Sequence, residues 1–278
     1  MRYGLSVMNM GDLADARRVA DLARAAEAAV WDAFLVWDHL AFAWGVPSGD
    51  AWTLVTAAAL ATERILVGTD VAVVARERPL PFAHRVATLD RLSGGRVVLG
   101  VGIGGASDEY RKAGEPVDLR ARAALTDETL GVVRALLGGE TVSHAGPTLT
   151  VADVTLAPLP VASPVPVWVG GQSAGAVRRA ARFDGWIPYA IDQEGNPELT
   201  PDEVRAHVTA IAGLRAGAGL ADAPFAIGWH GETPSPDAGE LVTPWADAGA
   251  TWWLESIHGF RGSTADIEAR VAAGPPRI

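Results

Sequence analysis

The sequence predicts an α/β fold, a (β/α)8 TIM barrel with a β-hairpin inserted before its fifth strand. Short apolar, β-branched runs alternate with longer segments of helical periodicity along the whole chain. This alternation is typical of parallel strands joined by crossover helices. Eight such units can be counted. Their strand segments are apolar throughout, as expected for strands that are covered on both faces.

Each unit pairs a predicted strand with a predicted helix. The strands are residues 3–8, 33–37, 65–71, 97–101, 165–169, 185–189, 225–229 and 251–255. The helices are residues 13–29, 52–61, 81–92, 120–137, 174–183, 202–216, 239–248 and 264–273. Their ends carry the usual signals, since Gly94 and Gly95 follow the third helix, and Thr200 and Pro201 open the sixth.

The segment before the fifth strand does not fit the repeat. Residues 141–144 and 148–154 alternate in polarity about the turn Ala145-Gly146-Pro147, which predicts the hairpin. No internal sequence repeat or change of composition marks a second domain, so we expect residues 1–278 to form one domain. An open doubly wound sheet is the alternative arrangement of the same units.

The composition excludes several classes of function. The net charge is -10, with 33 acidic and 23 basic residues, whereas nucleic-acid binding needs a clustered basic surface. The chain has no cysteine, which excludes disulfides, cysteine-ligated zinc and a thiol nucleophile. We find neither a signal-peptide pattern nor an apolar run long enough for a membrane span, and we expect a cytoplasmic protein.

The active site of such a barrel lies at the carboxyl ends of its strands, so the residues that follow each strand are the candidates. His39 follows the second strand, and its imidazole can exchange a proton near neutral pH, with Asp38 beside it to orient the ring. A rim histidine that bonds only a neighbouring loop is the alternative. The candidates for a substrate pocket are Trp44, which we expect to wall a planar ligand, and His230, Glu255 and His258. For His230 and His258, position alone favours a structural role.

A glycine-rich turn joins the fifth strand to the next helix, and its residues are Gly170, Gly171, Gln172 and Ser173. Backbone N–H groups at such a helix start can bind a phosphate, although strand-glycine-helix turns are also common without a ligand.

A second glycine-rich run, from Gly100 to Gly105, resembles a dinucleotide-binding motif only superficially. Its glycines alternate, and Asp108 and Glu109 follow before any predicted helix. A Rossmann fold is therefore disfavoured.

A metal-dependent hydrolase is the main alternative from another chemical class. Its potential ligands are Asp38, His39, Asp70, His230 and Glu255. They include no His-x-His pair and no compact spacing, so we expect no metal site. The chain also lacks the G-x-S-x-G motif of serine hydrolases.

Residues 87–104, with the sequence ATLDRLSGGRVVLGVGIG, are closely similar to the luciferase-like monooxygenase superfamily. Further matches follow in order along the chain at residues 37–40, 67–69, 81–85, 166–171 and 180–186, with a weaker match at 248–253. The chain therefore resembles this superfamily over most of its length.

The resemblance implies a barrel that binds FMN or the deazaflavin coenzyme F-420 at the strand ends. It implies that His39 lies near the reactive face of the cofactor ring, with Asp38 beside it. It places Asp70 and Val71 in a bulge after the third strand, where many members have a non-prolyl cis peptide. The residues implied to line the ribityl side are Gly102, Gly104, Gly105, Ala106 and Ser107. The residues implied to bind the phosphate are Gly170, Gly171, Gln172 and Ser173.

The implied activity is a redox reaction on a small organic substrate, by monooxygenation with FMN or by hydride transfer with F-420. The Asp38-His39 pair resembles the deazaflavin-using members more, so F-420 is preferred. Some of their dehydrogenases carry a Glu at the position of Gly105, which disfavours a sugar-phosphate dehydrogenase here. A cofactor-binding barrel without turnover is the alternative.

Related proteins commonly pair through the helices that flank the second and third strands. The corresponding helices here are residues 52–61 and 81–92, and the first contains Ala57, Ala58, Ala59 and Ala61. Small side chains permit close approach of two helices. We therefore expect a homodimer, with packing of this helix onto its own barrel as the alternative role of the alanines.

Overall fold

Eight parallel strands close into a barrel in the computed structural model, which describes residues 1–189 and 198–278. The barrel strands are β1 (Arg2–Val7), β2 (Ala33–Val36), β3 (Leu66–Val73), β4 (Val97–Gly102), β7 (Val167–Gly170), β8 (Gly185–Ile187), β9 (Ala226–Gly231) and β10 (Trp252–Ile257), and a separate hairpin contains β5 (Thr141–Ala145) and β6 (Thr150–Thr155). The order around the barrel is β1, β2, β3, β4, β7, β8, β9 and β10, and β10 pairs with β1. The predicted barrel is confirmed, and the open sheet is excluded.

Helices cover the outside of the barrel. They are α1 (Ala16–Ala28), α2 (Ala51–Ala61), α3 (Pro79–Ser93), α4 (Ser107–Ala113), α5 (Leu119–Leu137), α6 (Ala174–Ala180), α7 (Pro201–Gly217), α8 (Thr243–Asp247) and α9 (Thr264–Ala272). Short 3-10 helices occur at Gly11–Ala14, Ala41–Trp44, Val74–Arg76, Gly239–Leu241 and Gly259–Arg261. Within the described part of the chain, no helix has both the length and the apolar character needed to cross a membrane.

The antiparallel pair β5 and β6 forms the predicted hairpin before β7. The predicted cap of α7 is also present, because the Thr200 hydroxyl accepts the N–H of Glu203 while the Glu203 carboxylate accepts the N–H of Thr200.

Two helical regions differ from the sequence prediction. α4 was not predicted, since seven residues are too few for a stable isolated helix; burial of its residues Glu109 and Tyr110 stabilises it in the fold. The predicted helix at 239–248 is a 3-10 turn followed by α8. Pro244 lies in the first turn of α8 and has no N–H to continue a preceding helix.

The apolar core has two parts. Alternate residues of the barrel strands fill the interior, where the Trp168 and Trp252 rings meet at 5.0 Å between centroids. A larger cluster lies between the strands and the surrounding helices. Most tryptophans are buried in these two layers, as the sequence predicts, whereas Trp44 is exposed.

The small residues of α2 pack mainly within the protomer. Ala58 is 0% exposed and Ala59 is also buried, whereas Leu60 is 69% exposed. The predicted homodimer is therefore best tested at Leu60, because a charge at Ala58 would disrupt the barrel itself.

We expect Leu60→Glu to dissociate a homodimer that uses α2, since each protomer would bury an unpaired carboxylate at the interface. Light scattering at micromolar concentration measures the mass directly. Leu214→Glu, at an exposed leucine of α7, is the matched control. A wild-type mass near the 29.0 kDa of one chain would contradict the dimer.

Candidate active site

A cavity of about 440 Å³ opens at the carboxyl ends of the barrel strands, within the usual range of roughly 300–1,000 Å³ for small-molecule sites. Its lining is formed mainly by residues at and just beyond the carboxyl ends of β2, β3, β4 and β7. The lining residues are Trp37, Asp38, His39, Asp70, Val71, Val73, Gly102, Ile103, Gly104, Gly105, Glu109, Leu119, Gly170, Gly171, Ile187 and Tyr189.

This cavity gathers part of the predicted site. The predicted residues in its lining are Asp38, His39, Asp70, Val71, Gly102, Gly104, Gly105, Gly170 and Gly171. The predicted residues outside its lining are Trp44, Ala106, Ser107, Gln172, Ser173, His230, Glu255 and His258.

A buried carboxylate holds His39. Nδ1 of His39 lies 2.8 Å from Oε1 of Glu109, which also accepts the Leu40 N–H at 2.9 Å. Glu109 is 2% exposed. Burial disfavours its charge, but the hydrogen bond and charge of His39 and the charge of Arg76 outweigh it and lower the pKa of Glu109. An ionised Glu109 only accepts hydrogen bonds, so Nδ1 carries the proton of the neutral ring. Nε2, for which the described residues offer no partner, remains to exchange a proton.

Asp38 does not orient His39, in contrast to the prediction from their adjacency. Its Oδ2 accepts the Val73 N–H at 2.9 Å and lies 3.2 Å from Nη2 of Arg76. Arg76 also donates to the Asp38 carbonyl at 2.7 Å and to Oε2 of Glu109 at 2.8 Å. The guanidinium and the Val73 N–H attract the Asp38 carboxylate to the end of β3, and the neighbouring imidazole turns to Glu109.

The backbone of His39 is also fixed. The Asn9 side chain, fully buried after β1, accepts the His39 N–H at 3.1 Å and donates to the His39 carbonyl at 2.9 Å. Its amide also donates to the Gly49 carbonyl at 2.8 Å. Both the backbone and the ring of His39 are therefore held before any ligand binds.

Val71 forms the floor of the cavity between β4 and β7. The Asp70–Val71 peptide bond is cis and lies at a register shift between β3 and β4, as the family resemblance implies. A Cβ atom at Gly102 would lie 2.6 Å from Cγ2 of Val71, and one at Gly170 would lie 3.0 Å from Cγ1. Both glycines are needed because the Val71 methyl groups occupy the space of their side chains.

His230 is the buried partner of Asp70 and does not line the cavity. Its Nε2 lies 2.7 Å from Oδ2 of Asp70, and its Nδ1 lies 2.9 Å from the Pro188 carbonyl oxygen. Both ring nitrogens therefore face acceptors, which favours the doubly protonated imidazolium. Burial disfavours that charge, but the Asp70 carboxylate and the two hydrogen bonds outweigh it, so the pKa of His230 is raised.

Glu255 is fully buried, and its predicted place in the substrate pocket is corrected to a structural one. Its carboxylate accepts the N–H and hydroxyl of Thr233 at 2.8 and 2.7 Å, the Trp253 indole N–H at 2.8 Å and the Arg261 guanidinium at 2.6 Å. These bonds tie the segment after β9 to that after β10. No oxygen of Glu255 remains exposed for a ligand.

The other residues outside the lining lie around the rim. Trp44 contacts the His39 ring at 5.4 Å between centroids, and His258 lies 6.4 Å from the Trp37 ring with its Nε2 2.7 Å from Glu232. Both therefore pack next to residues of the lining without lining the cavity themselves.

Four predicted cofactor contacts lie outside the cavity lining. Ala106 and Ser107 are the N-cap and first residue of α4. The Gln172 amide nitrogen donates to Glu198 at 2.7 Å, and the Ser173 hydroxyl accepts the Ala176 N–H as the N-cap of α6. The Gln172 amide oxygen is buried and has no partner among the described residues.

The model of the luciferase-like monooxygenase family matches residues 2–230. The chain belongs to this family. An uncharacterized protein of Mycobacterium tuberculosis is 31% identical over 226 residues, 79% of this chain and 72% of the relative. The F-420-dependent glucose-6-phosphate dehydrogenase of Beutenbergia cavernae is 36% identical over 167 residues, 58% of this chain and 49% of that enzyme.

Solved structures of other proteins share the barrel of this luciferase-like protein. The F-420-dependent tetrahydromethanopterin reductase of Methanopyrus kandleri gives a TM-score of 0.79 at 16% identity, covering 99% of this chain and 98% of the reductase. A type II Baeyer-Villiger monooxygenase of Pseudomonas putida in complex with FMN gives 0.74 at 14% identity, covering 98% and 96%. At these identities the likeness shows the fold.

The cavity of this luciferase-like protein fits a planar ring cofactor. The Val71 methyl groups fill the space beside Gly102 and Gly170 and provide an apolar surface there. A Cβ atom at Gly105 would meet no atom within 4 Å, so the wall at Gly105 is open. A flat ring can therefore lie against Val71, with His39 at the cavity wall.

Sequence reasoning missed three residues that position His39, namely Asn9, Arg76 and Glu109. Asn9 follows the first strand and Arg76 follows the third, so their positions after strand ends could have identified them as site residues. Glu109 lies in the first turn of α4, where an acidic residue is favoured.

The potential metal ligands do not converge on one point. Within residues 1–189 and 198–278, no group of three or more His, Asp or Glu side chains is arranged to hold a metal ion. The contacts are Asp38 with Arg76, His39 with Glu109, Asp70 with His230, and Glu255 with Arg261.

Proposed function

We propose that this protein is an oxidoreductase that binds coenzyme F-420, with FMN as the second candidate, and acts on a small organic molecule. One observation carries the proposal: a cavity floored by Val71 contains a histidine whose tautomer is fixed by Glu109, with Nε2 left to exchange a proton. The F-420-dependent dehydrogenase of Beutenbergia cavernae, which this chain matches over about half of that enzyme's length, supports the preference for F-420.

The chain supplies binding and orientation, whereas the cofactor supplies the capacity to accept or donate a hydride. Val71 would support the ring, and the open wall at Gly105, beside Gly102 and Gly104, would face the ribityl side. The backbone N–H groups of residues 170–173 would bind the phosphate at the start of α6. The Ser173 hydroxyl and the Gln172 amide nitrogen already have partners, so the phosphate is assigned to backbone groups.

His39 handles the proton of the reaction. In the oxidation of an alcohol, for which a bound cofactor would supply the hydride acceptor, Nε2 of His39 takes the hydroxyl proton. Glu109 then stabilises the imidazolium through its bond to Nδ1. In the reduction of a carbonyl compound, for which the reduced cofactor would supply the hydride, Nε2 of His39 gives the proton to the carbonyl oxygen. Asp38 and Arg76 keep the loop in place throughout.

A parallel titration of the purified protein with F-420 and with FMN, followed by cofactor fluorescence, tests the proposal. We expect F-420 to bind more tightly, and the loaded protein to exchange hydride with an alcohol or carbonyl compound. Tighter FMN binding with oxygen consumption would favour the monooxygenase instead. If neither cofactor binds, the proposed function is wrong.

Gly171→Val is expected to weaken cofactor binding by about tenfold or more, equivalent to at least about 1.4 kcal/mol. Gly171 has φ = 101°, and a Cβ atom there would lie 3.2 Å from Ala176 Cβ, so a side chain distorts the turn and crowds the proposed phosphate contact. Cofactor fluorescence gives the affinity, and thermal unfolding shows whether the variant is folded.

Gly175→Ala is the matched control, because a Cβ atom at this position of α6 has ordinary contacts only. It should keep the wild-type cofactor affinity. A folded Gly171→Val protein that also keeps that affinity would remove the phosphate from this turn.

A further inference from the structure

A row of aromatic rings lines one side of the cavity and its entrance. We define the aromatic wall as Trp37, His39, Trp44 and Tyr189. The Trp37 ring meets the Tyr189 ring at 5.7 Å and the His39 ring at 5.9 Å, and the His39 ring meets that of Trp44 at 5.4 Å. Trp44 is 43% and Tyr189 is 49% exposed, so their surfaces remain available to a ligand. Exposed ring surfaces at a cavity entrance favour contacts with apolar or aromatic groups.

The wall is fixed in place by contacts below the cavity. The Trp37 indole N–H donates to the Ser6 hydroxyl at 2.7 Å, and the Tyr189 ring lies edge-on to that of His230 at 5.4 Å. The wall therefore offers an ordered apolar surface beside Nε2 of His39.

No Lys or Arg lines the cavity within the described residues. Two arginines lie near it. Arg76 is shared between Asp38 and Glu109. Arg122 forms no ion pair with the described residues and its Nε is unpaired, but it is 2% exposed, donates to the Gly104 carbonyl at 2.7 Å and lies over the Tyr110 ring.

The charged groups that do line the cavity are carboxylates, namely Asp38, Asp70 and Glu109. Each of them is already paired, Asp38 and Glu109 with Arg76 and Asp70 with His230. An anionic substrate would therefore lose its hydration without gaining an unengaged Lys or Arg from the described lining. An uncharged substrate avoids this cost.

We infer that the substrate is an uncharged alcohol or carbonyl compound with an aromatic or alicyclic body, and that it is not a phosphorylated or carboxylated molecule. This inference rests on the proposed function and adds its substrate class. The apolar body contacts the aromatic wall, and the oxygen lies at Nε2 of His39. Beside the aromatic wall, the described lining offers no unengaged Lys or Arg to an anionic group.

A matched pair of ligands tests the inference, with acetophenone as the uncharged compound and 4-acetylbenzoate as its anionic analogue. Calorimetric titration of the protein gives both dissociation constants, and F-420 binding is followed separately by its fluorescence. We expect acetophenone to bind at least about tenfold more tightly, as expected when the anion must be buried without a partner. Failure of F-420 to bind would count against the proposed function, but the dissociation constants of the two compounds could still be compared.

A variant that adds a positive charge at the cavity entrance provides a second test. Leu119 lines the cavity and is 56% exposed, so Leu119→Arg adds a cation at the entrance without replacing a residue of the site's hydrogen-bond network. It should reduce the preference for acetophenone, whereas Leu214→Arg on α7 should not. Equal or tighter binding of 4-acetylbenzoate to the wild-type protein, or binding of neither ligand, would overturn the inferred substrate class.

Discussion

His39→Ala is expected to lower kcat by at least about 10²-fold, the usual loss when a general acid or base is removed. Cofactor affinity and the melting temperature should change little, because Asn9 holds the loop through the backbone of residue 39 and not through its ring. Steady-state kinetics with an identified substrate and a cofactor titration measure the two effects separately.

Glu109→Gln distinguishes a proton-transfer role of His39 from a purely steric one. The neutral amide keeps the size of Glu109 but no longer stabilises an imidazolium, so kcat should fall and its pH profile should shift. His144→Ala in the hairpin is the control, since His144 contacts Glu128 outside the barrel. Near wild-type turnover of His39→Ala would make His39 a wall residue.

His230→Leu is expected to destabilise the fold by about 3–5 kcal/mol, the usual cost of leaving a buried charge without its partner. The variant removes both hydrogen bonds of the imidazole and leaves the Asp70 carboxylate buried in an apolar contact. Chemical denaturation near pH 6 gives the free energy of unfolding. Addition of Asp70→Asn should restore part of the loss, because it removes the unpaired charge.

The same pair makes stability depend on pH. The pKa of His230 is raised in the folded protein, above the usual value of about 6.5 that applies after unfolding. Its contribution is therefore complete below about pH 6.5 and is lost as the pH rises through the higher folded-state pKa.

Asp70→Asn is the matched variant for this dependence. The amide can donate to Nε2 of a neutral imidazole whose Nδ1 still donates to the Pro188 carbonyl, so all groups stay paired. This variant should fold with a flatter stability profile above pH 6.5. An unchanged profile would show that the pair does not titrate in this range.

The barrel was predictable because its signals are local. Eight apolar strand segments and their crossover helices follow from periodicity, and the hairpin at β5 and β6 follows from alternating polarity about a turn. α4 was missed since seven residues give too short a pattern, and its two buried side chains find their partners only in the folded chain.

The sequence predicted where in the barrel the site lies, but it predicted fewer of the contacts between the side chains of the site. Strand-end position identified His39 and Asp70, and both line the cavity. It also suggested Glu255, which the fold uses to join two loops. A side chain at a strand end can point into the cavity or beneath its rim, and sequence spacing does not distinguish the two.

The sequence alone determined the fold class, the family and the edge of the barrel that carries the site, because each depends on local periodicity or on a contiguous motif. Tertiary structure alone decided which carboxylate is hydrogen-bonded to which histidine. His39 pairs with Glu109 across 70 positions rather than with adjacent Asp38, and Asp70 pairs with His230 across 160 positions. Barrel closure brings these partners within hydrogen-bond distance, and burial stabilises an ion pair only where both partners are present.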